Sequence, residues 1–121
     1  KKNVEKCCEL RKVKPLNSFL KKYDAWISGR KSYQGGERID VEPFEFNNGK
    51  IVVNPLANFE KKLVLLYFNN YNLPKHPLIQ EGYMSVGCTH CTHKPVDKND
   101  PRSGRWINQT KTECGIHYKK D

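Results

Sequence analysis

The chain has 121 residues, 36% hydrophobic and 29% charged, with a net charge of +9 from 22 Lys and Arg against 13 Asp and Glu. That is one small domain or a part of one, with little apolar material for a core. It has no apolar run of the length a secretion signal or membrane span needs, so we expect no membrane partner and a cytoplasmic location.

In chain order, residues 1–22 read as helical, with a break expected near Lys14-Pro15 because proline has no N–H to donate to the preceding turn. Leu16, Phe19 and Leu20 give this segment a short apolar face, with Lys21 and Lys22 outside. Ala25–Ser28 reads as a strand ending at Gly29, and the polar stretch Ser32–Asp40, with Gly35-Gly36, as a mobile loop. Asn47-Asn48-Gly49 between the β-prone runs Val41–Phe46 and Lys50–Val53 is a hairpin signal. A helix follows from about Phe59 to Asn70, capped by Asn58, with Phe59, Leu63, Leu66 and Tyr67 on one buried face; Leu73-Pro74 ends it. From Lys75 onward Pro, Gly, His and charged residues dominate, so the segment is irregular and needs a staple.

The five cysteines supply one. Their number is odd, Cys7 and Cys8 are adjacent, and Cys88-Thr89-His90-Cys91 is a Cys-x-x-Cys. In a reducing compartment this pattern points to metal or redox chemistry before structural disulfides. Four thiolates suit either zinc or an iron–sulfur cluster, and spacing alone does not choose; His90 and His93 add possible zinc ligands. The fifth, Cys114, lies in Glu113-Cys114-Gly115-Ile116-His117, which we expect on a mobile, solvent-accessible tail. Lys111, Lys119 and Lys120 flank it and favour the thiolate, the attacking form. The basic balance asks for an anionic partner. No recognition helix, zinc finger or RNP pattern accompanies it, so we expect no nucleic acid.

Glu113-Cys114-Gly115-Ile116-His117 resembles the C-terminal catalytic motif of the assimilatory adenylyl-sulfate and phosphoadenylyl-sulfate reductases. Further blocks match that family in the same order: Cys7-Cys8 with Arg11-Lys12, Trp26–Arg30, Asn54-Pro55-Leu56, Asn72-Leu73-Pro74, Gly87–Thr92 and Asp100–Trp106. The resemblance implies an α/β fold, the C-terminal portion of a Rossmann-like adenine nucleotide alpha-hydrolase (ATP-pyrophosphatase-like) domain with an irregular tail. The family's Ser-Gly-Gly-like phosphate loop is missing. The chain is therefore expected to be a C-terminal half, divided into an α/β part (1–74), a cluster and anion-binding segment (75–106) and a catalytic tail (107–121). Such a half alone should leave apolar faces of its helix and hairpin uncovered and should be a poor catalyst.

The resemblance also implies a [4Fe-4S] cluster on Cys7, Cys8, Cys88 and Cys91. It implies substrate binding by Lys12, Arg30, Arg38, Arg102 and Arg105, with Arg38 departing from the family's usual spacing. Cys114 would be the nucleophile, assisted by His117. The implied reaction is reduction of adenylyl sulfate, or its 3′-phosphorylated form, to sulfite through a cysteine S-sulfonate that reduced thioredoxin or glutaredoxin resolves. Gly104 and Gly115 would serve as hinges of the tail. The oligomeric state is open, a homo-oligomer included. The competing reading, a small zinc-binding module with a basic surface for nucleic acid or protein, leaves the Cys114 motif and Arg102-x-x-Arg105 unexplained.

Overall fold

The structure, a computed structural model, describes residues 3–118; Lys119 and Lys120 lie outside the described residues. The first segment does not break at Lys14-Pro15. Helix α1 (Val4–Cys8) passes through a π-helical turn, Glu9–Val13, into helix α2 (Lys14–Leu20). The N–H of Lys14 donates to the Glu9 carbonyl, five residues back. That widening relieves the clash between a proline ring and the carbonyl four residues earlier, so Pro15 is tolerated inside a continuous helix. At the other end Asn3 caps α1, its side chain accepting from the Lys6 N–H at 3.0 Å.

A three-stranded mixed sheet lies beside this helix in the order β1-β3-β2 (β1 Ala25–Ile27, β2 Phe44–Asn47, β3 Lys50–Val53). Strand β1 runs parallel to β3, with Trp26 opposite Val52. The hairpin forms as expected: β2 pairs antiparallel with β3, Asn47 opposite Lys50. Asn48 and Gly49 both have positive φ (53° and 71°), the conformation that makes Asn-Gly the preferred two-residue hairpin turn.

The residues Ser32–Asp40, expected as a mobile loop, instead form two consecutive 3-10 turns, Ser32–Gln34 and Gly36–Arg38. Helix α3 runs from Lys61 to Asn70, shorter than expected, with Glu60 at the cap position and no capping side chain; Asn58 does not cap it. Its expected buried face is not buried, since Phe59, Leu63, Leu66 and Tyr67 are all exposed. Alternation along the strands puts Ile27, Phe44, Phe46 and Ile51 on one face of the sheet, where Ile27, Phe44 and Phe46 are 74%, 72% and 73% exposed. The uncovered apolar faces expected from the sequence are thus present.

The opposite face, carrying Trp26 and Val52, looks toward α2 and the C-terminal tail: Trp26 shares a cleft with Leu16, Leu20 and Ile116. Among the described residues no helix is long and apolar enough to cross a membrane.

Candidate functional site

The two cysteine pairs, about 80 residues apart in sequence, line one small apolar pocket of about 60 Å³ together with Val4, Arg11, Lys12 and His90. Cys7 and Cys8 reach it from the end of α1. Cys88 and Cys91 reach it from a 3-10 turn, Thr89–Cys91, closed by the Cys91 N–H to the Cys88 carbonyl at 2.9 Å. Thr92 fastens that turn: its hydroxyl donates to the Cys88 carbonyl and accepts from the Gly87 N–H, each at 2.9 Å. All five cysteines are free thiols. Among the described residues, no three His, Cys, Asp or Glu side chains converge as the shell of a single metal ion.

Charge gathers around this pocket. Lys12 sits in the π-helical turn. Burial would lower its pKa, but a hydrogen bond to Cys88 and the nearby Cys114 and Cys8 raise it above the ordinary value. Burial raises the Cys8 thiol, with Lys111 and Lys12 pulling the other way.

The tail was expected to be exposed, yet Cys114 is only 8% exposed. It packs with Cys91 and Trp106, with Val4, Cys88 and Ile116 around them, so the candidate nucleophile lies against the cysteine pocket. Several contacts hold the tail. Lys111 Nζ donates to both Glu5 carboxylate oxygens at 2.7 and 2.9 Å, and Thr112 donates to Glu37 at 2.8 Å. Gly115 lies against Val13, the His117 ring stacks on Trp26 at 5.6 Å between centroids, and the Tyr118 carbonyl accepts from Asn47 at 3.4 Å.

Nor are the two expected hinge glycines loose. A Cβ at Gly104 would overlap the carbonyl oxygens of His93 and Lys94, so glycine there permits a close backbone crossing, where the bridge between Thr92 and Arg105 forms.

Glu113 is the most connected side chain of the tail, and it is 2% exposed. One carboxylate oxygen accepts from the Arg38 Nε. The other accepts from Arg38 Nη2 at 3.0 Å, Arg102 Nη2 at 3.2 Å and the Cys114 N–H at 2.7 Å. Burial would raise its pKa, but Arg38 and the Cys114 N–H hold it down at about 2. Burial, Arg30 and Arg38 push His117 down to about 4, with Glu113 opposing, so its imidazole is neutral near pH 7.

Of the expected substrate arginines, Arg38, Arg102 and Arg105 line one cleft of about 480 Å³, with Tyr33, Lys61 and Ser85 among the other walls. Arg105 is fixed by several contacts, among them Nη1 donating to the Val86 carbonyl at 3.4 Å. Its Nε donates to the Cys91 carbonyl at 3.1 Å, its Nη1 reaches Ser85 at 3.4 Å, and its guanidinium lies 4.4 Å from the Trp106 ring centre. Burial lowers the pKa of Arg102 and Arg105 from the usual arginine value, and Cys91 and Cys114 oppose that shift at Arg105.

Arg30 does not join them. It ion-pairs with Glu45 and donates to Asn54 at 3.3 Å and Ser28 at 3.3 Å inside a buried network. It lines a separate polar cleft of about 280 Å³ with Glu37, Asp40 and His117.

Sequence reasoning gave Trp106 no role, named Lys111 only as a charge flanking Cys114, and named Glu113 only as part of the Cys114 motif. Trp106 is buried, with a left-handed φ of 48° that is unusual for so bulky a residue. Its ring faces Arg105, Arg102 (5.6 Å) and Lys111 (6.0 Å). Its place in the Arg-x-x-Arg-Trp run was the only available signal.

Residues 1–94 match the phosphoadenosine phosphosulfate reductase domain. The chain belongs to this family. It is 40% identical over 114 residues to the adenosine 5′-phosphosulfate reductase of Rhodococcus opacus, covering 93% of this chain and 46% of the relative. It is 43% identical over 120 residues to the phosphoadenosine 5′-phosphosulfate reductase of Gloeobacter violaceus, covering 96% and 50%. With the adenosine 5′-phosphosulfate reductase of Salinibacter ruber the identity is 44% over 120 residues, covering 96% and 47%. The chain thus spans about half the length of the curated relatives it matches.

Proposed function

We propose that this chain is the catalytic-tail half of a cytoplasmic, assimilatory reductase that converts adenylyl sulfate, or phosphoadenylyl sulfate, to sulfite and the nucleotide. The observation that carries the reading is the packing of Cys114 against Cys91 and Trp106, whose ring Arg105 overlies at 4.4 Å, beside a cleft whose other guanidiniums are Arg38 and Arg102. A sulfuryl phosphate is a polyanion. Planar forked cations neutralise it, and as its sulfur is attacked they stabilise the charge moving onto the leaving phosphate.

In the reaction, the Cys114 thiolate forms a bond to the sulfuryl sulfur. The bond from that sulfur to the bridging phosphate oxygen breaks, and the nucleotide leaves with the electron pair. One thiolate of a dithiol donor of the thioredoxin or glutaredoxin kind then attacks Cys114 Sγ and expels sulfite with its electron pair. The donor's second thiol resolves the mixed disulfide, so the donor is oxidised and Cys114 returns as a thiol. The tail has to leave its buried position for the second half of this cycle. Neutral His117, stacked on Trp26, orients the end of the tail and carries no charge of its own near pH 7.

Cys7, Cys8, Cys88 and Cys91 are the residues that would hold a [4Fe-4S] cluster. The donor chemistry fits the group: four soft thiols line one apolar pocket. When bound, the cluster supplies a charged, polarisable wall beside the cleft and ties the first helix to the Cys-x-x-Cys turn. The α/β segment 1–74 is read as the end of an adenine nucleotide alpha-hydrolase domain, 75–106 as the segment that binds cluster and anion, and 107–121 as the catalytic tail.

The test uses the intact protein, purified without oxygen. Iron with matching acid-labile sulfide is expected, together with sulfite release that needs the dithiol donor. Cys114→Ser should keep iron and sulfide and lose both the S-sulfonate and the sulfite. Zinc without sulfide, or S-sulfonate on another cysteine, would refute the reading.

A further inference from the structure

We propose that Glu113 is the positioning residue of the tail, and that it holds Cys114 in place by occupying Arg38 and Arg102, guanidiniums that an anionic ligand of the same cleft also needs. The proposal rests on the reading of Cys114 as nucleophile and adds to it a competition between tail docking and anion binding.

The geometry is that of a carboxylate seated as an anion in a built site. Both oxygens are engaged, one by two donors from arginines and by the Cys114 N–H. The two arginines come from places far apart in sequence, the second 3-10 turn and the segment before Trp106. Both are themselves mostly buried, with side chains 13% and 12% exposed. Apart from Glu113, Arg38 Nη1 donates to Gln34 at 2.6 Å, while Arg102 Nη2 donates to the Thr112 carbonyl at 3.0 Å, itself a tail contact, and lies 5.6 Å from the Trp106 ring centre. Both guanidiniums of this socket also line the cleft that Arg105 shares, whereas Glu113 itself lines the neighbouring cleft with Arg30 and His117.

Because Glu113 is bonded to the backbone of the next residue, its seat in that socket sets where Cys114 sits. Removing it undocks the thiol, and filling the socket with another anion does the same. A sulfate- or phosphate-bearing ligand that enters the cleft thus competes with Glu113 for the two guanidiniums and weakens the docking that the second half of the cycle must undo.

The experiment measures two quantities in the intact protein: the rate at which iodoacetamide, an uncharged reagent, alkylates Cys114 by peptide mapping, and the affinity for AMP at equilibrium. In Glu113→Gln the alkylation rate should rise at least about tenfold, as expected for the loss of charge-assisted hydrogen bonds. AMP should bind more tightly by a similar factor, since both changes report the same docking equilibrium. A residue that merely supported the fold would weaken AMP binding when replaced.

An unchanged alkylation rate, or weaker AMP binding, overturns the proposal. Should circular dichroism show Glu113→Gln unfolded, Glu113→Asp serves instead. Its charge is kept and its reach shortened, so smaller rises in both quantities are expected, and no rise in either overturns the proposal. The alkylation rate requires no turnover, so it judges the latch even where sulfite formation fails and takes the proposed function with it.

Discussion

Replacing Glu5 by alanine should destabilise the protein more than replacing its partner Lys111 by methionine, although Glu5 is the more exposed of the two. The Lys111 side chain is 3% exposed, and its ammonium has both Glu5 oxygens within 2.9 Å, with the Trp106 and Tyr118 rings 6.0 and 5.0 Å away. Removing one member of a fully buried pair costs about 3–5 kcal/mol, and an exposed pair contributes about 1 kcal/mol or less. Glu5 is 65% exposed, so solvent already screens its side of the pair, and we take about 2 kcal/mol for Glu5→Ala.

Lys111→Met fills the same space, leaves no charge to solvate and should cost about 1 kcal/mol or less. In the double variant the buried ammonium is gone, so its stability should match Lys111→Met alone, a coupling equal to the Glu5→Ala cost of about 2 kcal/mol. Urea unfolding followed by tryptophan fluorescence measures all three variants. A cost for Glu5→Ala under about 0.5 kcal/mol, or a Lys111→Met cost exceeding it, would refute the argument that the buried ammonium depends on Glu5.

Two further outcomes follow from the packing and charge of the site. Gly104→Ala drives a Cβ into the His93 and Lys94 carbonyl oxygens, so the strand crossing that joins Thr92 to Arg105 must shift. A loss of about 1–3 kcal/mol in urea unfolding is expected, and an alanine tolerated without cost would show that the crossing is looser than drawn. His117 has its pKa lowered from 6.5 to about 4, so the released or unfolded chain binds a proton there before the docked one does. The stability this group contributes is present above pH 6.5 and is lost as pH falls from 6.5 toward about 4. Over that range the thermal midpoint of the protein should fall more steeply than that of His117→Asn, and parallel curves would count against a neutral buried imidazole.

The sequence by itself determined the local features and the chemical inventory. Asn48-Gly49 selects a tight hairpin because both residues adopt positive φ without a large penalty, and β3 fills the expected run Lys50–Val53 while β2, expected from Val41, is confined to Phe44–Asn47. The cysteine pairs left zinc and an iron–sulfur cluster both open, and the resemblance carried by the Cys114 motif implied the candidate chemistry.

What the sequence did not yield are the features decided by partners far along the chain. Pro15 argues for a helix break, and it survives because a π-helical turn opens the backbone one turn earlier. Cys114 has the look of an exposed tail thiol, and it is buried because Lys111 and Glu113 find Glu5, Arg38 and Arg102, partners separated by 106, 75 and 11 residues. Arg30 and Arg38 are equivalent as letters in a string. Only the fold gives one to a buried network with Glu45 and Asn54 and the other to the cleft beside Arg102 and Arg105. Burial and ion pairing depend on which surfaces meet, and in this chain the meeting of tail, first helix and cysteine turn assembled the site.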